Sequence, residues 1–495
     1  MFGSALAKRS NECETGAMSS EIELKLEVAP GAAEEIMRQP WLEQAKRHSQ
    51  HQLSSYYDTD DNELRRRGYT LRVRAIGNEY IQTVKSIGTG AGLFERGEWE
   101  YQINGPEPDR ERLSHTPLAG MDVERLRPVL QSDVQRTWCR INGDGSEIEI
   151  DVDEGTMSAD GRRLPIHEVE IELVRGKAGS AVELARRIAS EFPVKLGVLS
   201  KAERGFALME GALGKVAKAD PVPIRPNMSV AEGFQVIVVA CLRHFRLNEP
   251  LVIEKRKVEA LHQARVAMRR LRSALTLFRT AINDDEFHHI RDELRWFSGE
   301  LGDARNLDVY LQRKRGHKER AALEKKRERA YDRVIEAMNS QRFRTLTLDL
   351  VAWAALGEWR NRANATMLLE PYINRRIDRL WHRIVAERDL RDMEPDERHQ
   401  LRIRIKKLRY VLEFVEALHT HERHRQKKFA GAVEDLQESL GEMNDLVVAR
   451  SLVASDAWPI LPDQGSEEER DLLHRSDHAL DRLRKVGPYW REYEA

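Results

Sequence analysis

The sequence has few cysteines, few aromatic residues and no long apolar run. Three cysteines far apart in 495 residues exclude a disulfide framework and a Cys-x-x-Cys zinc site. The longest apolar run, at about 236–242, is too short to span a membrane, and residues 1–18 lack the apolar segment of a signal peptide. No Gly-x-x-x-x-Gly-Lys-Ser/Thr motif occurs, which excludes a P-loop. We therefore expect a cytoplasmic protein that has no membrane partner and begins with a flexible tail.

Charge is plentiful and unevenly distributed. Hydrophobic residues make up 41% and charged residues 33% of the chain, as in a folded, charge-rich protein. The first 220 residues carry 37 acidic and 30 basic residues, whereas the remainder carries 45 acidic and 51 basic residues. This division argues against a uniform nucleic-acid coat, and we expect no specific nucleic-acid partner. The basic second half still suits a polyanion.

The chain changes character near residue 220. Residues 19–210 alternate between apolar and charged side chains in segment after segment, which is typical of strands. Residues 211–228 form a proline-rich linker. From the capping-box spacing at Ser229 to the C-terminus, residues 229–495 show the pattern of long amphipathic helices.

An internal repeat lies in the helical half. HQARVAMRRLR at 262–272 matches HQLRIRIKKLR at 399–409, and LGDARNLDV at 301–309 matches LGEMNDLVV at 440–448. Two matched motifs at nearly one offset predict tandem helical units at about 230–365 and 366–495.

The polar faces of the strands carry clusters of cations and clusters of carboxylates. Ordinary amphipathic strands with solvated outer faces are one explanation. The alternative is a barrel with its charged face inward, forming a tunnel for a phosphate chain and its metal. The candidate phosphate-binding cations are Arg72, Arg74, Lys85, Arg96, Arg136, Lys201 and Arg204. The candidate ligands for Mg²⁺ or Mn²⁺ are Glu21, Glu23, Asp153, Glu170 and Glu172.

Residues 19–210 resemble the CYTH, or triphosphate tunnel metalloenzyme, superfamily. EIELK at 21–25 is similar to its E-x-E-x-K signature, and SKAERG at 200–205 also fits its pattern. The order and spacing look most like bacterial inorganic triphosphatases. The resemblance implies a tunnel of eight strands, metal on the five carboxylates above, and phosphate contacts from those cations and Lys25. Glu100, Arg140, Glu149 and Glu168 have no role in the family pattern, and we interpret them as ion pairs or rim charges.

The helical half resembles the CHAD domain, which is associated with polyphosphate. Its repeated H-x-x-R-x-x-x-[RK]-[RK]-x-R motif places four basic side chains on one helix face in each repeat. The predicted polyphosphate-binding residues are His262, Arg265, Arg269, Arg272, His399, Arg402, Lys406 and Arg409. A solvated helix surface is the alternative. If the helical half binds polyphosphate, polyphosphate granules would be a second location for the protein.

These patterns predict an α+β protein. An N-terminal eight-stranded antiparallel tunnel barrel with outer helices precedes an all-α domain of two pseudo-symmetric helical bundles. The predicted reaction is metal-dependent hydrolysis of inorganic triphosphate to diphosphate and phosphate, with Lys25, Glu21 and Glu23 as catalytic residues that orient and deprotonate water. The alternatives are nucleotide or thiamine triphosphate hydrolysis, adenylate cyclase activity, and a non-catalytic polyphosphate-binding adaptor. Substrate length, the choice of metal and the oligomeric state stay open.

Overall fold

The structure, a computed structural model, divides the chain into two compact units. It describes residues 19–20, 22–86, 97–313, 320–387, 389–454 and 467–491. The first unit contains the residues up to Lys218 together with Leu242–Ala264 and Tyr331–Gly357. The second unit contains Ala219–Cys241, Arg265–Ala330 and the residues from Glu358 onward. The division therefore assigns two segments of the helical half to the unit that contains the strands.

The first unit is built on one antiparallel sheet that has ten strands among the described residues. The strands are β1 (Ser19–Ser20), β2 (Glu23–Glu27), β3 (Arg47–Asp58), β4 (Tyr69–Ile76), β5 (Glu79–Ser86), β6 (Gly97–Ile103), β7 (Arg127–Gly143), β8 (Ser146–Ala159), β9 (Arg162–Arg175) and β10 (Lys195–Leu196). Their order across the sheet is β1-β6-β5-β4-β3-β7-β8-β9-β2-β10.

The N-terminal strand segments close this sheet into a barrel. β1 pairs with β6, whereas β2, only two residues later, pairs with β9 on the other side of the sheet. Closure leaves seven further long strands, so the predicted antiparallel barrel is confirmed. The expected strand count of eight differs from the ten observed because the first strand is interrupted and the short β10 is added beside β2.

Apolar side chains cover the outside of the barrel, and short helices pack on them. The helices of this part are α1 (Ala32–Met37), α2 (Glu63–Arg66), α3 (Arg110–Ser114), α4 (Ala178–Glu191) and α5 (Lys201–Met209). Leu24 and Leu26 on β2 and Ile171 on β9 are fully buried. Burial of each such side chain stabilises the fold by about 1.5–3 kcal/mol. Because strand side chains alternate, the charged residues between them point into the barrel.

Helix α5 packs against one end of the barrel. It begins with a capping box in which Ser200 and Glu203 bond reciprocally to each other's backbone N–H. Its apolar side chains join a core with residues of β3, β7, β8 and β9, which comprises Tyr56, Leu130, Val134, Met157, Ala159, Ile166, Ala202, Phe206 and Leu208. A Cβ on Gly205 would lie 2.7 Å from a methyl carbon of Leu130, so this contact requires glycine. The helix consequently holds Lys201 and Arg204 next to the barrel interior.

The C-terminal half is helical, as predicted. Its helices are α6 (Val230–Lys255), α7 (Val258–Ile282), α8 (Asp285–Arg313), α9 (Arg320–Asn339), α10 (Gln341–Leu356), α11 (Ala363–Thr366), α12 (Leu369–Val385), α13 (Pro395–Phe414), α14 (Arg423–Ala454) and α15 (Glu467–Val486). The two copies of the basic motif lie on α7 and α13. No helix in the described ranges is long and apolar enough to cross a membrane.

The second unit has its own aromatic core. Phe234 packs against Phe278 and Trp359 with ring centroids 5.3 and 5.4 Å apart, and Phe429 packs against Trp490 at 5.1 Å. In the predicted linker, Val222 and Ile224 are buried. The domain and linker boundaries stay predictions, and the predicted tail at 1–18 lies outside the described residues.

Candidate active site

Carboxylates from three neighbouring strands lie side by side in the barrel. The antiparallel register places Glu23 opposite Glu172, Lys25 opposite Glu170, Glu149 opposite Glu172, Asp151 opposite Glu170, and Asp153 opposite Glu168. Directly opposed side chains of a sheet are close enough to interact, and like charges in such pairs are destabilising. The sheet therefore concentrates negative charge that cations must offset.

The carboxylates form two groups with metal-ligand spacing. One consists of Asp153, Glu168 and Glu170, and the other of Glu149, Asp151 and Glu172, with carboxylate oxygens within 4.8 Å of one another in each group. Oxygen donors of this kind are the ligands that Mg²⁺ and Mn²⁺ prefer.

Arg136 lies between the two groups. Its Nε donates a 2.7 Å hydrogen bond to Asp153 Oδ1, its Nη2 donates a 2.6 Å bond to Glu170 Oε2, and its Nη1 contacts Asp151. β7 supplies this side chain because Arg136 stands opposite Asp153 in the register. The guanidinium thus bridges three carboxylates at once, using the separate donors of its planar fork.

Lys25 is held as a cation among acids. Its Nζ lies 2.6 Å from Glu170 Oε1, 3.4 Å from Glu23 Oε1 and 3.8 Å from Glu168 Oε1. Burial alone would lower the pKa of the Lys25 amine, but Glu170, Glu23 and Glu168 outweigh it and raise the pKa well above its usual value. Lys25 is therefore protonated at neutral pH and is suited to orient a water or a phosphate oxygen rather than to accept a proton.

Helix α5 adds two more cations to the first group. Lys201 Nζ lies 2.6 Å from Asp153 Oδ2 and 2.9 Å from Glu170 Oε1, and Lys201 and Arg204 both contact Glu168. Burial would raise the pKa of Asp153, but Lys201 and Arg136 lower it to about 2. The group of Asp153, Glu168 and Glu170 is consequently neutralised by protein cations.

Asp151 in the second group has a different environment. Its Oδ1 is buried and has no hydrogen-bond partner within the described part of the chain. Burial raises the pKa of Asp151 to about 7, with Glu149, Glu170 and Asp153 adding to the effect and Arg136 opposing it. A divalent cation would relieve the repulsion that Glu149, Glu170 and Asp153 exert on Asp151.

A basic wall is formed by neighbouring strands of the barrel. Arg72 and Arg74 alternate on β4, and Nε of each is buried without a hydrogen-bond partner in the described ranges. Arg72 Nη2 donates a 3.1 Å bond to Thr83 Oγ1, whereas Arg74 makes no ion pair or hydrogen bond with any residue that the structure describes. Burial and the positive charges of Arg72 and Arg136 lower the pKa of Arg74 to about 10. Lys85 on β5 pairs with Glu98 at 2.8 Å.

The structure groups the predicted barrel residues in one interior, apart from two that lie outside the described residues. Glu21 and Arg96 are those two. Three carboxylates that sequence reasoning did not assign to the site also belong there, namely Glu149, Asp151 and Glu168. Glu149 also pairs with Arg140 at 2.7 Å, as expected for an ion pair. The metal assignment itself stays a prediction.

The second unit carries a separate cluster of arginines. Burial and the positive charges of Arg269, Arg305 and Arg402 lower the pKa of Arg265 to about 10. Arg265 and Arg305 make no ion pair or side-chain hydrogen bond within the described part of the chain. Because Arg265 lies on α7 and Arg402 on α13, the basic faces of the two repeats adjoin. The guanidinium of Arg269 also lies 5.8 Å from the ring centroid of Tyr410 on α13.

The other predicted residues of the basic faces have varied surroundings. Arg272 lies near Arg295 and Arg269, which together with burial lower its pKa. Arg409 is paired with Glu413 and Gln437 at 2.6 Å each. His399 and Lys406 lie on α13, and His262 lies on α7 in the first unit. Arg305 was not predicted, although its motif LGDARNLDV is one of the two repeated segments.

Comparison with known proteins identifies both halves. The CYTH domain family matches residues 19–206, and the CHAD domain family matches residues 237–454. An inorganic triphosphatase of Haemophilus influenzae is 29% identical over 199 residues, which are 39% of this chain and 55% of that protein. The alignment thus spans about half the length of this relative.

Solved structures also resemble parts of the chain. The CHAD domain from the plant Ricinus communis is 26% identical, covers 55% of this chain and 96% of its own, and has a TM-score of 0.44. PptA from Streptomyces chartreusis is 20% identical, covers 52% of this chain and 99% of its own, and has a TM-score of 0.37. With both resemblances of the sequence confirmed by the family matches, the chain contains a CYTH domain followed by a CHAD domain.

Proposed function

We propose that the barrel hydrolyses inorganic triphosphate to diphosphate and phosphate with the help of a divalent cation. The observation that carries the proposal is the pair Arg72 and Arg74, whose buried Nε atoms have no hydrogen-bond partner among the residues that the structure describes. Arg72 already lies near Glu98 and Glu100, but Arg74 makes no ion pair with any residue that the structure describes. A buried guanidinium without an ion-pair partner is costly, and a bound phosphate would supply one. The carboxylate groups of the same barrel fit the metal that accompanies a phosphate chain.

The donor set fits Mg²⁺ or Mn²⁺. Glu149, Asp151 and Glu172 offer carboxylate oxygens within 4.8 Å of one another, and Glu23 stands opposite Glu172. The buried Asp151 Oδ1 has no hydrogen-bond partner among the described residues. We assign the cation to these residues because Asp153 and Glu170 of the predicted set each pair with both Lys201 and Arg136, whereas Asp151 contacts Arg136 through one oxygen and keeps the other for a cation. A bound cation would neutralise developing charge on phosphate oxygens.

The side chains of this protein bind and orient the triphosphate. Arg72, Arg74 and Lys85 neutralise phosphate oxygens, and Lys25 orients the attacking water as a donor. The water oxygen bonds to the terminal phosphorus, and the bridging P–O bond breaks with its electrons on diphosphate. Since Lys25 stays protonated, the proton of the water passes to a neighbouring carboxylate. Glu23 is suited to accept it, because its Oε1 lies 3.4 Å from Lys25 Nζ.

A phosphate-release panel tests this proposal. The full chain is incubated with inorganic triphosphate, ATP or thiamine triphosphate in the presence of Mg²⁺ or Mn²⁺. We expect the highest kcat/KM with inorganic triphosphate and no release after chelation of the metal. Faster release from a nucleotide, or formation of cyclic AMP, would favour nucleotide chemistry. No release from any substrate would favour a non-catalytic adaptor.

We also propose that the CHAD domain binds inorganic polyphosphate. The supporting observation is the arginine cluster of Arg265, Arg269, Arg305 and Arg402, in which burial and the adjoining like charges lower the pKa of Arg265. A linear polyanion would neutralise several of these charges at once. Binding should weaken steeply as salt rises, because condensed counterions are released from the polyanion.

Charge reversal in the full chain tests polyphosphate binding. Arg265→Glu with Arg269→Glu should weaken binding of long-chain polyphosphate by at least about tenfold. Adding Arg402→Glu and Lys406→Glu should then cost less than twice as much free energy, because the shared cluster is already broken. Equal competition by duplex DNA, or unchanged affinity after charge reversal, would contradict the proposal.

A further inference from the structure

The C-terminal part of α6 holds the segment that leads into α5. Arg243 Nη1 donates a 2.8 Å bond to Glu203 Oε1 and a 3.1 Å bond to the carbonyl oxygen of Val198. The other carboxylate oxygen of Glu203 accepts 2.8 Å bonds from the backbone N–H and the hydroxyl of Ser200. One guanidinium thus contacts both sides of the turn that begins α5.

This segment contacts two groups of the proposed active site. Lys201, the first residue of α5, lies between Asp153 and Glu170. The backbone N–H of Gly197 donates a 2.8 Å bond to the carbonyl oxygen of Lys25, next to which β10 pairs with β2. A shift of residues 197–201 would therefore move Lys201 and disturb Lys25 together.

Two further residues of α6 fix the same region. Arg246 is buried and contacts Glu249. Its Nε donates a 2.9 Å bond to the carbonyl oxygen of Leu196, and its Nη2 donates a 3.0 Å bond to Glu27 Oε2. Asn248 exchanges two hydrogen bonds with the backbone of Ala217, at 2.9 and 3.2 Å. These contacts span the backbone on either side of α5.

We infer that Arg243 is a positioning residue for triphosphate hydrolysis, which acts through Glu203 and Val198 on Lys201. The inference rests on the proposed function of the barrel. Arg243 lies within the CHAD match, yet it belongs to the same compact unit as the strands. A residue of the helical half therefore completes the geometry of the catalytic unit, because α5 supplies Lys201 and Arg204 but does not by itself fix their position.

The test compares Arg243→Gln with Arg186→Gln in the full chain. Arg186 on α4 pairs with Asp349 on α10 at 2.7 Å, which is also an ion pair between a CYTH helix and a helix of the CHAD match within the first unit. Among the described residues, Arg186 makes no hydrogen bond or ion pair with α5, so it serves as the matched control. We expect Arg243→Gln to lower kcat/KM for inorganic triphosphate about tenfold, since small displacements of positioning groups have such effects. Arg186→Gln should leave kcat/KM unchanged, and the thermal midpoints of the two variants should be similar.

Two further variants separate positioning from general stability. Arg243→Lys should recover most of kcat/KM, because an ammonium group still reaches Glu203 or the Val198 carbonyl. Glu203→Gln removes the same ion pair from the other side and should reproduce the defect. The double variant Arg243→Gln with Glu203→Gln should lose no more than either single variant. If Arg243→Gln does not fold, Glu203→Gln compared with Arg186→Gln decides.

Failure of this inference can be distinguished from failure of the proposed reaction. Equal kcat/KM in Arg243→Gln and Arg186→Gln overturns the inference while leaving hydrolysis established. If the unmodified protein releases no phosphate, the proposed reaction fails. The positioning role is then decided by calorimetric titration with inorganic tripolyphosphate, where an unchanged Kd in Arg243→Gln overturns it and a Kd raised about tenfold supports it.

Discussion

Gly197 and Lys25 lie so close together that a Cβ on Gly197 would stand 2.7 Å from the Cγ of Lys25. The backbone at Gly197 is not in the left-handed region, so the requirement for glycine is one of space alone. The absence of a side chain here lets Lys25 lie against Glu170 at 2.6 Å.

Gly197→Ala should accordingly displace Lys25 and lower kcat/KM for triphosphate about tenfold. Gly143→Ala is the control, because a Cβ at Gly143 would meet no atom within 4 Å. Steady-state phosphate release from the two variants checks this expectation. Equal activities would contradict the prediction, because they would show that Lys25 accommodates the added methyl group without loss of catalysis.

Glu23→Gln should reduce turnover by roughly a hundredfold or more. The change removes the proposed proton acceptor and, with it, one carboxylate charge beside the proposed metal ligands. The fold should be intact, since the two side chains have the same shape. Glu154→Gln on β8 is the control, because Glu154 stands opposite His167 and away from the two carboxylate groups. Substantial activity of Glu23→Gln with added Mg²⁺ would end the assignment of Glu23 to the site.

Arg74→Met should have opposite effects on stability and on activity. Removal of a buried cation that faces Arg72 and Arg136 should raise the free energy of unfolding of the substrate-free protein by about 1–2 kcal/mol. The same change should lower kcat/KM at least about tenfold, because phosphate loses a partner. Denaturant unfolding and phosphate release measure the two effects, and Arg140→Met, which breaks the pair with Glu149, should not stabilise. A destabilised Arg74→Met would show that Arg74 is satisfied without phosphate.

Asp151 predicts how pH affects the metal-free protein. Its pKa rises from 3.8 to about 7 on folding, so between these values the folded protein binds more protons than the unfolded chain. The unfolding free energy should therefore fall as pH rises through this window, and Asp151→Asn should reduce the fall. Denaturant unfolding of the chelated protein at several pH values gives the measurement. A wild-type protein and an Asp151→Asn variant with identical pH dependence would contradict it.

The same titration should oppose metal binding. A divalent cation must displace the proton from Asp151, so the affinity for Mn²⁺ should fall as pH falls below about 7. Calorimetric titration with Mn²⁺ at pH 6 and pH 8 measures this effect, and proton release should accompany binding at the lower pH. Pairing of Asp153 with Lys201 gives no such effect in this range, since the pKa of Asp153 is about 2.

Sequence periodicity identified the alternating side chains of the barrel because a strand places every second residue on one face. It did not identify Asp151 and Glu149 as parts of the site, since that depends on which residues stand opposite each other. A local signal for the register was present. Asp144-Gly145 and Asp160-Gly161 have positive φ at both residues and join β7 to β8 and β8 to β9 as tight turns. Counting back from these turns gives the observed pairs.

Other features depend on packing between distant segments and have no local signal. The repeated motif identified Arg265 and Arg402 as equivalent residues, but their proximity follows from how α7 and α13 pack. The contact between Arg243 and Glu203 joins residues 40 positions apart. Arg243 belongs to no motif, and the SKAERG segment that contains Glu203 does not indicate which residue pairs with it.

The membership of 242–264 and 331–357 in the unit that contains the strands has a consequence for protein synthesis. The last long strand of the barrel ends at Arg175, but the arginines that hold α5 follow it by some seventy residues, and α10 ends at Leu356. A ribosome must therefore translate well into the CHAD region before the catalytic unit has all its parts. A chain truncated at the proline-rich linker would expose the apolar surfaces that these helices cover, so expression of the barrel alone should yield a chaperone-dependent, aggregation-prone product.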